Sequence, residues 1–173
     1  MDLFQLDRGI LLEDIRILLP WDTPEKKLRK LGKPLISKLN KDRVTLCWND
    51  HLVFGGLKCQ VQADFQKASL FSPRPPVIDS FLTMVYLNFP NSINIHPRSQ
   101  FNDLKKQLIK TFGRPSFEGN LDPPFDLPSA QWDFDSALIE LYVNERFGEY
   151  CVGQVWRKPL PRSVEARYHL SGT

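Results

Sequence analysis

A helical pattern followed closely by three strand patterns in the second half constrains the fold of this chain most. In SQFNDLKKQLIKTFGRP (99–115), apolar residues recur at steps of three and four, which predicts an amphipathic helix that Ser99 caps and Gly113 ends. Three strand-like runs follow it: SAQWDF (129–134), ALIELYV (137–143) and EYCVGQVW (149–156). A helix followed by consecutive antiparallel strands predicts an α+β fold, an antiparallel sheet with two helices packed on it.

The first half begins with a similar order of patterns. A helix is predicted over TPEKKLRKLGKP (23–34), and strands are predicted over RVTLCW (43–48) and LKCQVQADF (57–65). Matching residues recur at offsets of 81, 84 and 92 positions: Gly32 and Gly113, Trp48 and Trp132, Cys59 and Cys151. These offsets predict a tandem duplication of a helix-plus-strands unit. The alternative is two unrelated helices that share the common Gly-x-Pro stop.

The chain of 173 residues fits one globular α+β unit, which we place at 1–157, with two halves at 1–71 and 80–157. Three prolines in SPRPPVID make 72–79 the linker between the halves. The strand run FLTMVYLNF (81–89) opens the second half, and FEGNLDPPFDLP (117–128) is predicted to be a long surface loop. Residues 158–173 lack a periodic pattern and are predicted to form an extended or disordered tail.

Cysteines and histidines show no spacing that is typical of catalysis or metal binding. The cysteines are odd in number and widely separated: Cys47, Cys59 and Cys151. This predicts reduced thiols in a reducing compartment. The three histidines lack the spacing of metal ligands, and no nucleotide-binding or hydrolase fingerprint occurs. We therefore predict a protein that is not an enzyme, with no catalytic residue, no metal and no cofactor.

The N-terminal residues MDLFQLDRG carry two aspartates and no apolar signal segment. The most apolar stretch near them, 10–19, is interrupted by three charged residues and is too short to cross a membrane. We therefore expect a cytoplasmic protein without a membrane partner.

Charge is divided unevenly along the chain. Residues 24–43 contain eight basic and two acidic side chains, a net charge of +6, whereas residues 116–144 contain six acidic side chains and no basic one. Opposed charge blocks steer association with charged partners. We predict a protein partner that binds through residues of these blocks: Glu118, Asp122, Asp126, Asp133, Asp135, Lys26, Lys30 and Lys33. A solvated helix face and an acidic loop kept for solubility would give the same pattern.

Two other functions fit parts of the sequence. The basic 26–43 stretch would neutralise phosphates, so a nucleic-acid-associated or regulatory module is the alternative, although the whole chain carries only +3 and no nucleic-acid-binding motif. Asp133 and Asp135 are two residues apart and would share one strand face with Gln131, as paired catalytic or metal-binding carboxylates do. A solvated strand face explains the same pair.

Residues 95–157 resemble small bacterial α+β proteins that neutralise a cognate toxin, including immunity proteins of contact-dependent inhibition systems. The helix end FGRP (112–115), the tryptophan strand WDFDSALIELYV and the final strand EYCVGQVW carry the resemblance. It implies a non-catalytic protein that occludes a toxin domain, and it carries over no functional residue. The acidic 116–144 block would then face a basic, nuclease-like toxin. The basic 26–43 block would face a toxin that is acidic around its active site.

Overall fold

The computed structural model describes residues 5–38, 43–66, 81–90, 95–120, 126–145, 148–162 and 164–165. Their elements, in chain order, are β1 (Gly9–Leu12), β2 (Ile17–Pro20), α1 (Glu25–Leu28), β3 (Leu35–Lys38), β4 (Arg43–Val53), β5 (Leu57–Gln66), β6 (Met84–Asn88), α2 (Pro97–Phe112), β7 (Phe117–Asn120), β8 (Pro128–Asp133), β9 (Ala137–Glu145) and β10 (Glu149–Arg157). Strands β3 to β10 form one eight-stranded antiparallel sheet, and β1 pairs with β2 in a separate hairpin. The α+β prediction is confirmed, with a fold dominated by its sheet.

The strand order of the large sheet is symmetric about its centre. From edge to edge the order is β3-β4-β5-β6-β10-β9-β8-β7, so the last strands of two consecutive four-strand meanders pair with each other. A helix precedes each meander, α1 the first and α2 the second. The symmetric division therefore falls between β6 and α2, and it assigns β6 to the first half. The predicted linker at 72–79 lies outside the described residues.

Two of the three residue matches along the sequence occupy equivalent positions in this order. The glycines at 32 and 113 follow α1 and α2, and Trp48 and Trp132 lie in the second strand of each meander, β4 and β8. The third match, between the two cysteines, does not join equivalent strands. Cys59 lies in the third strand of its meander, β5, whereas Cys151 lies in the fourth, β10.

The core lies on one face of the sheet. Side chains alternate between the two faces of a strand, and those on this face are apolar and buried, among them Val61 and Ile139. Helix α2 covers β8, β9 and β10 with Phe101 and Leu108, each only 2% exposed, which confirms the predicted helix-on-sheet packing. The shorter α1 adds Leu28, which is fully buried in the same core.

Both helices differ from the prediction at their ends. Helix α2 begins at Pro97, and the side chain of His96, not of Ser99, caps it by accepting a hydrogen bond from the backbone N–H of Arg98. Proline suits this first position because it has no N–H that would need a partner. Helix α1 ends at Leu28, and turns rather than a helix lead to Gly32, where φ is +62°.

Three segments have more structure than the sequence pattern indicated. The apolar residues around 10–19 form the β1–β2 hairpin, and the predicted loop 117–128 begins with strand β7. In the predicted tail, the backbone N–H groups of Val164 and Glu165 both donate to the carbonyl of Pro161, which forms a helical turn. Val164 is 1% exposed and packs with Trp156, so this part of the tail is docked on the sheet. Residues 166–173 lie outside the described residues.

Candidate interaction surfaces

The basic block contains a group of exposed lysines, which we call the basic surface: Lys26, Lys27, Lys30 and Lys33. Lys26 and Lys30 lie four residues apart across α1 and the turn that follows it. No carboxylate in the described parts of the chain forms an ion pair with any of these four lysines. The arginines of the block differ, because Arg29 pairs with Glu25, and Arg43 pairs with Asp64. The basic surface therefore has positive charge available for a partner.

Exposed apolar side chains lie beside the basic surface. Strand β3 follows Lys33 within two residues, and its Leu35 and Ile36 are 64% and 46% exposed. Phe81 is 49% exposed and forms a bridge to Pro24, immediately before α1. Protein interfaces commonly combine an apolar contact area with a polar rim. Sequence reasoning missed Leu35 and Ile36, although LISK between Pro34 and Leu39 has the length of a short strand.

Three of the acidic residues predicted as partner-binding, Glu118, Asp126 and Asp133, have a cation partner within the chain. Glu118 of β7 forms an ion pair with Lys105 of α2. Asp133 lies 2.7 Å from Lys158 Nζ. A carboxylate that already has an intramolecular cation contributes less to the field felt by a partner.

The same acidic residues do not form one cluster. Asp126 precedes β8, and Asp133 ends it, so they lie at opposite ends of that strand. Asp135 lies in the turn after β8, so the prediction that it shares a strand face with Asp133 and Gln131 is wrong. The sixth carboxylate of the block, Glu140, is 5% exposed and lies on the sheet. The remaining predicted residue, Asp122, is outside the described residues.

Opposite the core, the second face of the sheet carries the buried polar side chains beside a smaller apolar cluster of Met84, Leu138, Trp156 and Val164, and we call it the polar sheet face. One cross-strand row crosses all eight strands: Leu35, Cys47, Gln62, Tyr86, Gln154, Glu140, Gln131 and Phe117. The polar residues that the structure buries all lie on this face: Thr45, Asp64, Ser129, Gln131, Glu140 and Gln154. The signal for it is present in LKCQVQADF (57–65), where polar residues alternate with apolar ones.

Hydrogen bonds across strands satisfy much of the polar sheet face. The carboxylate of Asp64 accepts from Thr45 Oγ1 at 2.6 Å and from Arg43 at 2.6 Å. Gln154 donates to the hydroxyl of Tyr142 in β9 at 2.9 Å and, within its own strand β10, accepts from the indole of Trp156 at 3.1 Å. Buried polar groups with such partners fix strand register, so this network is explained by the architecture.

Two acidic residues of the β1–β2 turn hold the tips of β4 and β5. The carboxylate of Glu13 accepts from the backbone N–H groups of Gly55 and Gly56, each at 2.8 Å. Asp14 Oδ2 lies 2.9 Å from His51 Nδ1, and Asp14 Oδ1 accepts from a backbone N–H at 3.1 Å. Burial raises the pKa of Asp14, but the hydrogen bonds and the nearby imidazole outweigh it and hold that pKa below its ordinary value.

Another ion pair links the first turn of α2 to β10. Arg98 donates from Nε and from a terminal nitrogen to Glu149, at 3.2 and 3.0 Å, and lies 3.9 Å from Asp126. The hydrogen bond from Arg98 holds the pKa of Glu149 below its ordinary value. Like the Asp14 contacts, this ion pair joins two structural elements. The carboxylate of Glu149 is already hydrogen-bonded to Arg98.

The cysteines lie where the strand prediction put them, and all are free thiols. Burial raises the pKa of Cys59 and of Cys151 to about 12. Burial, together with the charge of Asp64, also raises the pKa of the half-buried Cys47. In the described ranges no three His, Cys, Asp or Glu side chains are grouped as a metal site would require.

Comparison of the chain with models of protein families, with curated proteins and with solved structures found no match. None of the helices in the described residues has the length and apolar character needed to cross a membrane.

Proposed function

We propose that this chain is a non-catalytic binding protein of the bacterial cytoplasm, an immunity protein that occludes a toxin domain with its basic surface. The observation that carries the proposal is the contrast between the two charge blocks. Lys26, Lys30 and Lys33 are exposed without a carboxylate partner in the described residues, whereas Glu118 and Asp133 are paired within the chain. The partner would present acidic residues, as a toxin does when carboxylates surround its active site.

The surroundings of the basic surface favour a protein partner. Protein interfaces combine an apolar centre with a charged rim, and the apolar contacts supply much of the affinity. Leu35, Ile36 and Phe81 provide exposed apolar area next to the lysines. Charge then sets the rate and the orientation of association.

A nucleic-acid-associated module is the second candidate, because the same unpaired lysines would bind phosphates. In that case binding to heparin or to an oligonucleotide would weaken steeply with salt, with a slope of about one per lysine that contacts a phosphate. Reversal of the lysine charges would reduce that slope, whereas substitution of Leu35 and Ile36 would leave it unchanged.

The symmetric strand order supports a further part of the proposal, that the chain arose by tandem duplication of a helix followed by four strands. Trp48 and Trp132 lie at equivalent places, 1% exposed each, in the second strand of each meander. In the proposed duplication, the later strands of the two units diverged, since the cysteines of β5 and β10 do not correspond.

The proposed function is tested by capturing the partner and asking what it does to cells. The tagged full chain is incubated with extract of the native host, crosslinked, and the captured protein is identified by mass spectrometry. The corresponding domain is then expressed from an inducible promoter in a bacterium that lacks this chain. We expect growth arrest by the domain alone and recovery when the chain is co-expressed.

Two charge-reversal variants show which surface is needed for recovery in this growth test. Lys26→Glu, Lys30→Glu and Lys33→Glu together should weaken the recovery, whereas Glu118→Lys and Asp133→Lys together should leave it intact. A captured partner that has no effect on growth would refute the immunity function. Equal recovery with both variants would refute the role of the basic surface.

A further inference from the structure

We propose that the β3 edge of the sheet, with its exposed Leu35 and Ile36, binds an extended acidic segment of a partner protein as an added strand. The inference rests on the proposed function, because it names how the partner docks at the basic surface. In this binding mode, the backbone of β3 would pair with the partner segment, and the side chains around β3 would select its sequence.

The edge has the features that strand addition requires. Strand β3 is the last strand of the eight-stranded sheet on this side, and within the described residues it pairs with β4 alone. An edge strand presents backbone N–H and C=O groups that another extended chain can pair with. Leu35 and Ile36 are neighbours in a strand, so they lie on opposite faces of the sheet. An added strand would therefore meet one apolar side chain above the sheet and one below it.

The positive charge around β3 determines which kind of segment can bind at this edge. Lys33 precedes the strand, and Lys26 and Lys30 lie in and after α1, which leads into it. A second copy of this chain that approached β3 to β3 would bring two basic surfaces together, which disfavours it. A segment with two adjacent aliphatic residues, one for each face of the sheet, and acidic residues beside them would match both the apolar and the basic features of this edge.

The opposite edge of the sheet provides a built-in comparison. Strand β7 has the same length as β3, four residues. It carries Glu118 and Asn120, both exposed, and its exposed carboxylate is already paired with Lys105. None of the large exposed apolar side chains of the described chain lies in β7. We therefore expect the two edges to differ in what they bind.

The length of the strand limits the contact. Four residues span about 13–14 Å at roughly 3.4 Å per residue, so the bound core of the partner segment is about four to six residues long. Such a short contact gives modest affinity by itself, and the basic surface would add long-range attraction.

The experiment selects random 12-residue peptides displayed on phage against the immobilised full chain. Selected peptides are synthesised, and their binding is measured by fluorescence anisotropy at two salt concentrations. We expect sequences with net negative charge that contain adjacent apolar residues, one for each face of the sheet. Binding should slow the hydrogen exchange of β3 amides, because an added strand pairs with the backbone.

Substitutions in the chain show whether the peptides bind at β3. Leu35→Glu with Ile36→Glu should weaken binding by at least about tenfold, a loss of about 1.4 kcal/mol. Leu35→Ser with Ile36→Ser removes the apolar contact without adding charge and guards against misfolding of the first variant. The matched control is Ile15→Glu, which changes another exposed apolar residue in the β1–β2 turn and should leave binding unchanged.

Several results would overturn the inference. They are selection of no peptide, selection of basic or proline-rich peptides, and binding that both edge variants leave unchanged. A dimer of the free chain that blocks the peptides and is abolished by the edge variants would show that the occupant is a second copy. If β3 fails these tests while charge reversal at Lys26, Lys30 and Lys33 still weakens growth recovery, only the docking mode is refuted and the proposed function stands.

Discussion

Trp48 and Trp132 each donate an indole hydrogen bond to a backbone carbonyl that follows the helix of their own half. The indole Nε1 of Trp48 donates to the backbone carbonyl of Leu31 at 2.7 Å, and that of Trp132 donates to the carbonyl of Gly113 at 2.9 Å. Each accepting carbonyl lies just beyond the helix that precedes the meander, and each ring is buried in the core. In each half, this hydrogen bond therefore connects the segment after the helix to the second strand of the meander that follows it.

Substitution of either tryptophan by phenylalanine should destabilise the protein to a similar degree. Trp48→Phe and Trp132→Phe each leave a carbonyl without its indole donor and remove part of a buried ring, at a cost of about 2–4 kcal/mol. Urea unfolding followed by far-UV circular dichroism measures the free energy of unfolding. Phe81→Leu, at an exposed position, is the control and should change it by less than about 0.5 kcal/mol. A large loss at one tryptophan and none at the other would contradict their equivalence.

The packing of α2 gives a second prediction. Leu108 is 2% exposed, and Leu104 and Phe112 of the same helix pack against the core beside it. Leu108→Ala should lower the free energy of unfolding by about 2–5 kcal/mol, because it empties a buried leucine site. Lys106→Ala, at a side chain that is 72% exposed, is the control on the outer face. A loss under about 0.5 kcal/mol for Leu108→Ala would mean that α2 is not docked by this residue.

The long strands of the sheet are predictable from the sequence because their alternation extends over many residues. The runs at 43–48, 57–65, 137–143 and 149–156 all lie within observed strands, and β4 continues five residues further, to Val53. The four-residue strands β1, β2, β3 and β7 are too short to show a period. Helix α2 begins at Pro97 rather than Ser99, since a histidine supplied the cap that a serine was expected to supply.

The sequence predicts the charges of the candidate site, but it does not predict which charged side chains form ion pairs within the chain. Exposure of Lys26, Lys30 and Lys33 follows from a short basic helix on a small domain. The cations that pair with Glu118 and Asp133 are Lys105 and Lys158, which lie in other elements, in α2 and just after β10. Only the folded chain brings them together, so the sequence pattern alone overstates the strength of the acidic block.

Stability should depend on pH through Asp14. Its pKa in the folded chain lies below the ordinary value of 3.8, so the charged carboxylate stabilises the fold. That contribution is present above pH 3.8 and is lost as the pH falls through the lower, folded-state pKa. Asp14→Asn should therefore be less stable than the parent chain at pH 7, and the difference should shrink below about pH 4.

Asp50→Asn is the control for this titration, because Asp50, the neighbour of His51 in β4, has a carboxylate side chain that is 77% exposed. Urea unfolding between pH 3 and pH 7 measures both variants against the parent chain. A difference between Asp14→Asn and the parent that is constant over this range would contradict the role of the charged carboxylate.

The cysteines should react in a fixed order. Cys47 is half-buried, whereas Cys59 and Cys151 are buried, with pKa values of about 12. Iodoacetamide at pH 8 should alkylate Cys47 slowly in the native chain, because its raised pKa lowers the thiolate fraction, and the other two only after denaturation, because their sulfurs are buried as well. Peptide mass spectrometry identifies the modified residue. A mass about two hydrogens below the reduced chain, or stoichiometric zinc, would contradict three free thiols.

The central claim is that the basic surface steers a protein partner, and the association rate of the captured partner tests it most directly. Steering raises that rate from about 10⁵–10⁶ towards 10⁸ M⁻¹s⁻¹ at low salt. In stopped-flow measurements from low to high salt, reversal of Lys26, Lys30 and Lys33 to glutamate should slow association at least about tenfold at low salt and flatten its salt dependence. Reversal of Glu118, Asp133 and Asp135 to lysine should change it little. An unchanged rate in the lysine variant, or a slowed rate in the acidic variant alone, would contradict the account.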